Sequence, residues 1–324
     1  MASCMPAWLA RHDRGATATP ALWPDVDRAA HHSRVAVVGD LQRTGPVETW
    51  RERNDHLRPR LIESIATDRP DALVLLGDMV FWGASEDDWS YFDDVMAPLV
   101  AKAIPTIPVL GNHEYYGSTT SAMNHVRSRF PHASEQAFMR TIDSVAWIVL
   151  NTNFDDIGRH AARTQLQWLN HMLGRLDADP GIVAVIVCGH HPPFTNSTVV
   201  SDDLILKRHF VPLFLQARKT TVWLSGHAHT YERFAVQGKQ FIVSGGGGGP
   251  RQRVLPASAR RHRDLYEGSE IRPLHYLIVE RTAGAIVVSM RPLAEEPYRT
   301  PAFDMVTLPV RGPVPPMATE KARE

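Results

Sequence analysis

The chain alternates short apolar runs with longer stretches whose apolar positions recur every three to four residues. The first run, Arg34-Val35-Ala36-Val37-Val38, reads as a buried strand and ends at Gly39-Asp40-Leu41-Gln42. From Glu48 to Asp68, Leu57, Leu61, Ile62 and Ile65 fall at helical spacing. That helix is expected to stop before Arg69-Pro70, because proline disfavours helix in the residue ahead of it. Ala72 to Leu76 reads as a second strand, ending at Gly77-Asp78. Glu86 to Ala101 reads as a helix whose acidic first turn suits the helix dipole. The run Ile104 to Leu110 is a third strand and leads into Gly111-Asn112-His113-Glu114. This order predicts a layered α/β domain with a largely parallel first sheet.

The pattern continues with two strands, Glu135 to Arg140 and Val145 to Leu150, joined near Asp143-Ser144 as a hairpin. Thr164 to Leu176 carries Leu166, Leu169 and Leu173 on one stripe, with Thr164 as the expected cap. Ile182 to Cys188 is a strand ending at Gly189-His190-His191-Pro192-Pro193. Asp202 to Gln216 reads as a helix kinked or divided by Pro212. Thr221 to Leu224 is a strand ending at Ser225-Gly226-His227-Ala228-His229. Arg233 to Gln237 and Gln240 to Ser244 form a hairpin through Gly238-Lys239, and Leu274 to Glu280 pairs with Ala285 to Met290. The expected organisation is an irregular N-terminal arm over 1–33, one domain over 34–310 and a flexible tail over 311–324.

Composition changes this picture little. With 324 residues, 44% hydrophobic and 22% charged, the chain can bury a sizeable core. Lysine plus arginine equals aspartate plus glutamate, at 35 each, so no global charge steers it to nucleic acid or an anionic membrane. Local basic patches keep a nucleic-acid substrate open. No run approaches the roughly 18 apolar residues of a membrane span, and the N-terminus has no apolar signal core, which makes the cytoplasm the default location. The two cysteines, Cys4 and Cys188, indicate no disulfide framework. Oligomeric state has no signal in the sequence.

The chemistry lies where the strands end. Five such ends deliver Asp40 with Gln42, Asp78, Asn112 with His113, His190 with His191, and His227 with His229. Glycine before these residues permits the sharp exit and close approach of a crowded site. The set offers carboxylate, amide and imidazole donors and no thiolate, which suits Mn, Fe, Zn or Mg. The donors outnumber a tetrahedral zinc site. Two ions bridged by one carboxylate, best supplied by Asp78, account for them better than one. Two divalent ions with Asp40, Asp78 and one hydroxide leave a net positive charge, which suits an anionic phosphate.

Gly39-Asp40, Gly77-Asp78, Gly111-Asn112-His113-Glu114, Gly189-His190 and Gly226-His227-Ala228-His229, in that order, resemble the motifs of the calcineurin-like metallophosphoesterases. The resemblance covers roughly residues 34 to 290. Thr164-Gln165-Leu166-Gln167-Trp168-Leu169, His190-His191-Pro192-Pro193-Phe194, His227 through Arg233 and the glycine run 245–249 look like the purple acid phosphatase branch. The resemblance implies a four-layer αββα sandwich of two mainly mixed β-sheets flanked by helices. It implies a dinuclear centre in which Asp40 and His229 bind the first metal, Asp78 bridges, and Asn112, His190 and His227 bind the second. Divalent Mn, Fe or Zn would serve as cofactor. His113 would not ligate; it would donate to the phosphate or protonate the leaving oxygen. A small phosphomonoester would be hydrolysed by attack of metal-bound hydroxide. The alternatives are a phosphodiesterase acting on cyclic nucleotides or nucleic acid, and a non-catalytic scaffold with the same fold.

Two positions depart from the family pattern. Gln42 stands where many members have histidine; it is a neutral oxygen donor, and whether it ligates is left open. Phe81 stands where the purple branch has a metal-bound tyrosine, so no iron-tyrosinate colour is expected and Mn or Fe(II) is favoured at the first metal. His191 reads as a rim residue able to touch substrate. Arg251, Arg253, Arg260, Arg261 and Arg263 form a basic loop, either a solvated surface or an anion-steering rim to which Arg260 would belong.

Overall fold

The strands read as unbroken apolar runs because both of their faces are covered. In a computed structural model, which describes residues 32–45, 50–131, 133, 136–293 and 303–310, β1 (Arg34–Val38) shows how this works. Ala36 and Val38 face a layer of helices, while Val35 and Val37 face a second sheet. The expected arm over 1–33, apart from residues 32 and 33, and the expected tail over 311–324 lie outside the described residues.

The first sheet also contains β2 (Ala72–Leu75), β3 (Thr106–Pro108), β10 (His275–Arg281), β11 (Ala285–Pro292) and β12 (Asp304–Pro309), in the order β12-β11-β10-β1-β2-β3. The second contains β4 (Phe138–Ile142), β5 (Val145–Val149), β6 (Ala184–Cys188), β7 (Thr220–Ser225), β8 (Tyr231–Val236) and β9 (Lys239–Ser244), in the order β4-β5-β6-β7-β9-β8. Each sheet is mixed. The first departs from the largely parallel expectation: β1, β2 and β3 are parallel, whereas β10, β11 and β12 add antiparallel pairings. Helices α1 (Arg58–Asp68), α2 (Glu86–Ala101) and α3 (Thr119–Arg129) cover the first sheet. Helices α4 (Phe154–Ala178) and α5 (Val211–Gln216) cover the second. Three apolar layers result: helix on sheet, sheet on sheet through Trp147, Val74 and Ile186, and sheet on helix. The fold is thus a four-layer αββα sandwich.

Three local expectations are corrected, and two elements are added. Helix α1 begins at Arg58 with Pro59 in its first turn, not at Glu48, because proline is tolerated there and not further in; residues 46–49 lie outside the described residues. Thr164 is not a cap but lies inside α4, which Asn153 precedes and which breaks at Gly158 (φ 77°, ψ 166°). The β8–β9 turn is Gln237-Gly238, both at positive φ. Helix α3 and strand β12 were missed; α3 carries only Ala122, Met123 and Val126 as buried apolar positions, too sparse a stripe to stand out, though Ser118 caps it by accepting from Ser121 N. The region around Pro212 is a π-helical turn over Leu206–Phe210 followed by α5, which fits the expected interruption. Among the described residues no helix is long and apolar enough to cross a membrane.

Candidate metal centre

The parallel strands of both sheets end on one side, and their exit loops are tied together. After β1, Asp40 N donates to Gly77 O at 3.0 Å and Gln42 N to Asp78 O at 2.9 Å. After β6, the His190 ring meets Leu76 O through Nδ1 at 2.8 Å. After β7, His227 N donates to the Asp40 carboxylate at 3.0 and 3.1 Å. Asp40, Asp78 and His227 all hold positive φ, at 63°, 52° and 66°. Such conformations cost about 1–3 kcal/mol each and persist where surrounding bonds over-determine them. Glycine is needed at Gly111, where a Cβ would lie 2.2 Å from Asp78 Oδ1.

Glu114 is the brace of this arrangement. It is fully buried, and its carboxylate accepts from Asp78 N (2.9 Å), Met79 N (2.8 Å) and Gly111 N (2.7 Å). One side chain therefore fixes the loop carrying Asp78 to the loop carrying Asn112. Arg58, another buried residue, donates through Nη2 to Gln42 O and Gly248 O, both at 2.9 Å, and clamps the loop after β1 from behind. Sequence reasoning missed both roles. The signal for Glu114 was its place one residue after His113; for Arg58 there was none, since an arginine beside an apolar stripe reads as solvated.

The donor atoms are set in two groups around Asp78. His190 Nε2 lies 3.3 Å from Asp78 Oδ1 and 3.1 Å from Asn112 Oδ1. His229 Nε2 lies 3.4 Å from Asp40 Oδ1, with Nδ1 held by Pro250 O at 2.8 Å. In both rings the Nδ1 bond to a carbonyl oxygen fixes the ring so that Nε2 points at the carboxylates, as in histidines that bind metal through Nε2. One ligand atom each from Asp40, Asp78 and His190 lie within 4.8 Å of one another, and the same holds for His190, His191 and His227. Gln42 is buried beside them. Its amide nitrogen donates to Asp78 Oδ2 at 3.3 Å and to the lone pair of His229 Nε2 at 3.0 Å. His113 Nδ1 donates to Phe81 O (2.7 Å), and its Nε2 stands 3.8 Å from Asp78 Oδ2.

The electrostatics suit cations. Burial pushes the Asp40 carboxyl well above its ordinary range, with Asp78 adding to the effect. Burial would raise Asp78 too, but His190 and His113 beside it hold it well below the usual carboxylate range. Burial and Asp78 together push Glu114 up to about 7. Burial drives His229 down to about 4 and His191 down to about 3, and also lowers His227, so these rings are neutral and ready to ligate. His190 is pushed up to about 9: burial opposes its charge, and Asp78 outweighs burial. A proton there competes with a cation for the same lone pair. Buried carboxylates with histidine nitrogens beside them, and the oxygen and imidazole donors gathered around Asp78, fit divalent cations.

His191 lies against His227, with ring centroids 4.4 Å apart and the planes tilted by 51°, and its Nδ1 meets Thr152 Oγ1 at 2.9 Å. Arg260 is not brought to this point. Arg260 donates to Leu255 O at 3.3 Å within its own loop, and its charge acts on Asp264 and Arg272. The described contacts give it no partner among the metal-site residues. Arg261 donates to Thr195 O and Ser197 O at 2.8 Å, fastening the basic loop to the segment after β6.

Comparison with known proteins agrees with this geometry. A family model described as calcineurin-like phosphoesterase matches residues 33–231. Purple acid phosphatase 22 of Arabidopsis thaliana is 26% identical over 215 residues, covering 61% of this chain and 44% of its own. Probable inactive purple acid phosphatase 9 of the same plant is 22% identical over 245 residues, covering 64% and 36%. The chain thus spans less than half the length of these curated relatives. Purple acid phosphatase PPD1 from yellow lupin (Lupinus luteus) seeds superposes with a TM-score of 0.67 at 15% identity, over 86% of this chain and 54% of that one. Five ordered loop motifs, a mixed double sheet and a family match over more than half its length place the chain in the calcineurin-like phosphoesterase family, on its purple acid phosphatase-like branch.

Proposed function

We propose that the chain is a dinuclear metal-dependent phosphoesterase that hydrolyses a phosphomonoester. What supports this reading is the cluster of donor atoms around Asp78, with His190 Nε2 3.3 Å from Asp78 and 3.1 Å from Asn112 Oδ1, Asp40 within 4.8 Å, and His229 Nε2 3.4 Å from Asp40 Oδ1. On this reading Asp40, His229 and Gln42 hold one cation, Asn112, His190 and His227 hold the other, and Asp78 is shared. When bound, two such cations neutralise phosphate charge and lower the pKa of water to near neutrality. The residues do the rest. Glu114 keeps the Asp78 and Asn112 loops in register. His113, whose Nδ1 is engaged by Phe81 O, directs Nε2 into the site beside Asp78 and gives its proton to the leaving oxygen as the P–O bond breaks. His191 lies at the rim, where it contacts substrate. Arg260 takes no part in this reading.

The test is a hydrolysis panel of a monoester, a diester and cyclic nucleotides with Mn, Fe(II), Zn and Mg, using Asp78→Asn as control. The monoester should turn over fastest, and Asp78→Asn should lose at least about 100-fold in kcat by weakening both sites. One matched relative is named probable inactive, so the absence of turnover with every metal is a real outcome and would favour a scaffold. Faster diester turnover would favour the phosphodiesterase. Protein loaded with iron should show no tyrosinate absorption, because Phe81 offers no oxygen; a visible charge-transfer band contradicts that assignment.

A further inference from the structure

The His113 side of the site is walled by aromatic rings that the ligand assignment leaves without a task. Tyr116 lies 4.4 Å from the His113 ring, centroid to centroid, and Trp82 lies 5.6 Å beyond Tyr116. Phe81 lies 5.4 Å from the His113 ring, centroid to centroid. Tyr116 is 37% exposed, so this wall meets solvent and not the core.

The wall is held in place. Tyr116 N donates to His113 O at 3.1 Å, Gly83 N to the same oxygen at 3.0 Å, and Ala84 N to Tyr116 O at 3.0 Å. These bonds join the loop after β2 to the loop after β3. Gly117 sits at φ +92°, and a Cβ there would strike Trp82 Nε1 at 2.6 Å, so only glycine lets Trp82 lie against this chain. Asn112 Nδ2 donates to Tyr116 Oη at 2.8 Å, which turns Asn112 Oδ1 toward His190 Nε2. Tyr116 thus touches the amide proposed to ligate and the imidazole proposed to protonate.

We infer that Tyr116 and Trp82 form the leaving-group shelf of the site and select phosphoesters of planar aromatic alcohols, that is, aryl phosphates. The inference rests on the proposed phosphoesterase reading, in which the group that leaves departs past His113. A flat ring in that position stacks on Tyr116 and Trp82 without displacing either, whereas an alkyl group gains little from their faces. The Tyr116 hydroxyl and ring have separable tasks: the hydroxyl orients Asn112, and the ring sets selectivity.

Calorimetric binding of phenylphosphonate and methylphosphonate to the Mn-loaded protein separates these tasks and is independent of leaving-group reactivity. The full chain should bind phenylphosphonate about tenfold tighter. That ratio should fall to about one in Tyr116→Ala and drop severalfold in Trp82→Ala. In Tyr116→Phe it should be kept, with both ligands weakened alike. Equal binding of the two ligands by the unmodified protein, or an unchanged ratio in Tyr116→Ala, overturns the shelf while leaving the phosphoesterase reading standing. Failure of both phosphonates to bind protein shown to hold Mn contradicts that reading, and the shelf falls with it.

Discussion

At the residue scale the site depends on groups that touch no substrate. Glu114 presents two carboxylate oxygens to backbone N–H groups of two loops, with Oε2 taking Asp78 N and Gly111 N and Oε1 taking Met79 N. In Glu114→Gln one oxygen becomes an NH2 group facing N–H donors, and the loops must part. Metal affinity should fall about 10- to 100-fold, the usual cost of losing a group that holds metal-binding side chains in place. Competition with a chelator reads this directly, and unchanged affinity would show that the brace is dispensable. The ligand candidates themselves were legible in the sequence, because Asp40, Asp78, Asn112, His190, His227 and His229 follow glycine-led strand exits. Their backbones were not. Positive φ at Asp40, Asp78 and His227 is imposed by bonds from other loops, and no local pattern encodes it. For Arg260 the run of arginines allows either a solvated surface loop or an anion-steering rim, and in the fold its guanidinium bonds to the loop's own backbone at Leu255 O.

At the element scale, strands were more legible than helix ends. The apolar runs of β1, β2, β5, β6 and β7 are buried on both faces, so they stand out from any neighbour. Helix α1 lost its expected first part because Pro59 sets its start, and α4 gained a segment before the Gly158 break. Strand β8 carries a further titrating group. Glu232 is buried and accepts from Thr195 Oγ1 at 2.6 Å and Asn196 N at 2.7 Å. Burial pushes its carboxyl up to about 7, from an ordinary value of 4.5. The folded chain therefore holds this proton where the unfolded chain has released it. The stabilisation is fully present below about pH 4.5 and is lost as pH rises through about 7. Between pH 5 and 7 the chelator-treated protein should lose stability relative to Glu232→Gln, by at most about 3 kcal/mol. Urea unfolding across that range measures it; parallel curves for the two proteins would show that Glu232 is ionised throughout.

At the scale of the whole molecule, three apolar layers hold two mixed sheets so that their strand ends face one point. This architecture followed from the resemblance more than from periodicity. The α/β alternation of the first half pointed to a parallel sheet, and the antiparallel half of that sheet comes from strands more than 200 residues later in the chain. Pairing across such a separation leaves no local trace. The donors are brought together because the loops that carry them are tied to one another by backbone bonds at the strand ends of both sheets. The central claim is that these donors hold two cations which together turn over a phosphomonoester. It is tested most directly by titrating chelator-treated protein with Mn and following phosphate release from a monoester. The rate should rise to a plateau at two equivalents of Mn per chain; a plateau at one equivalent, or no release at any ratio, would contradict it.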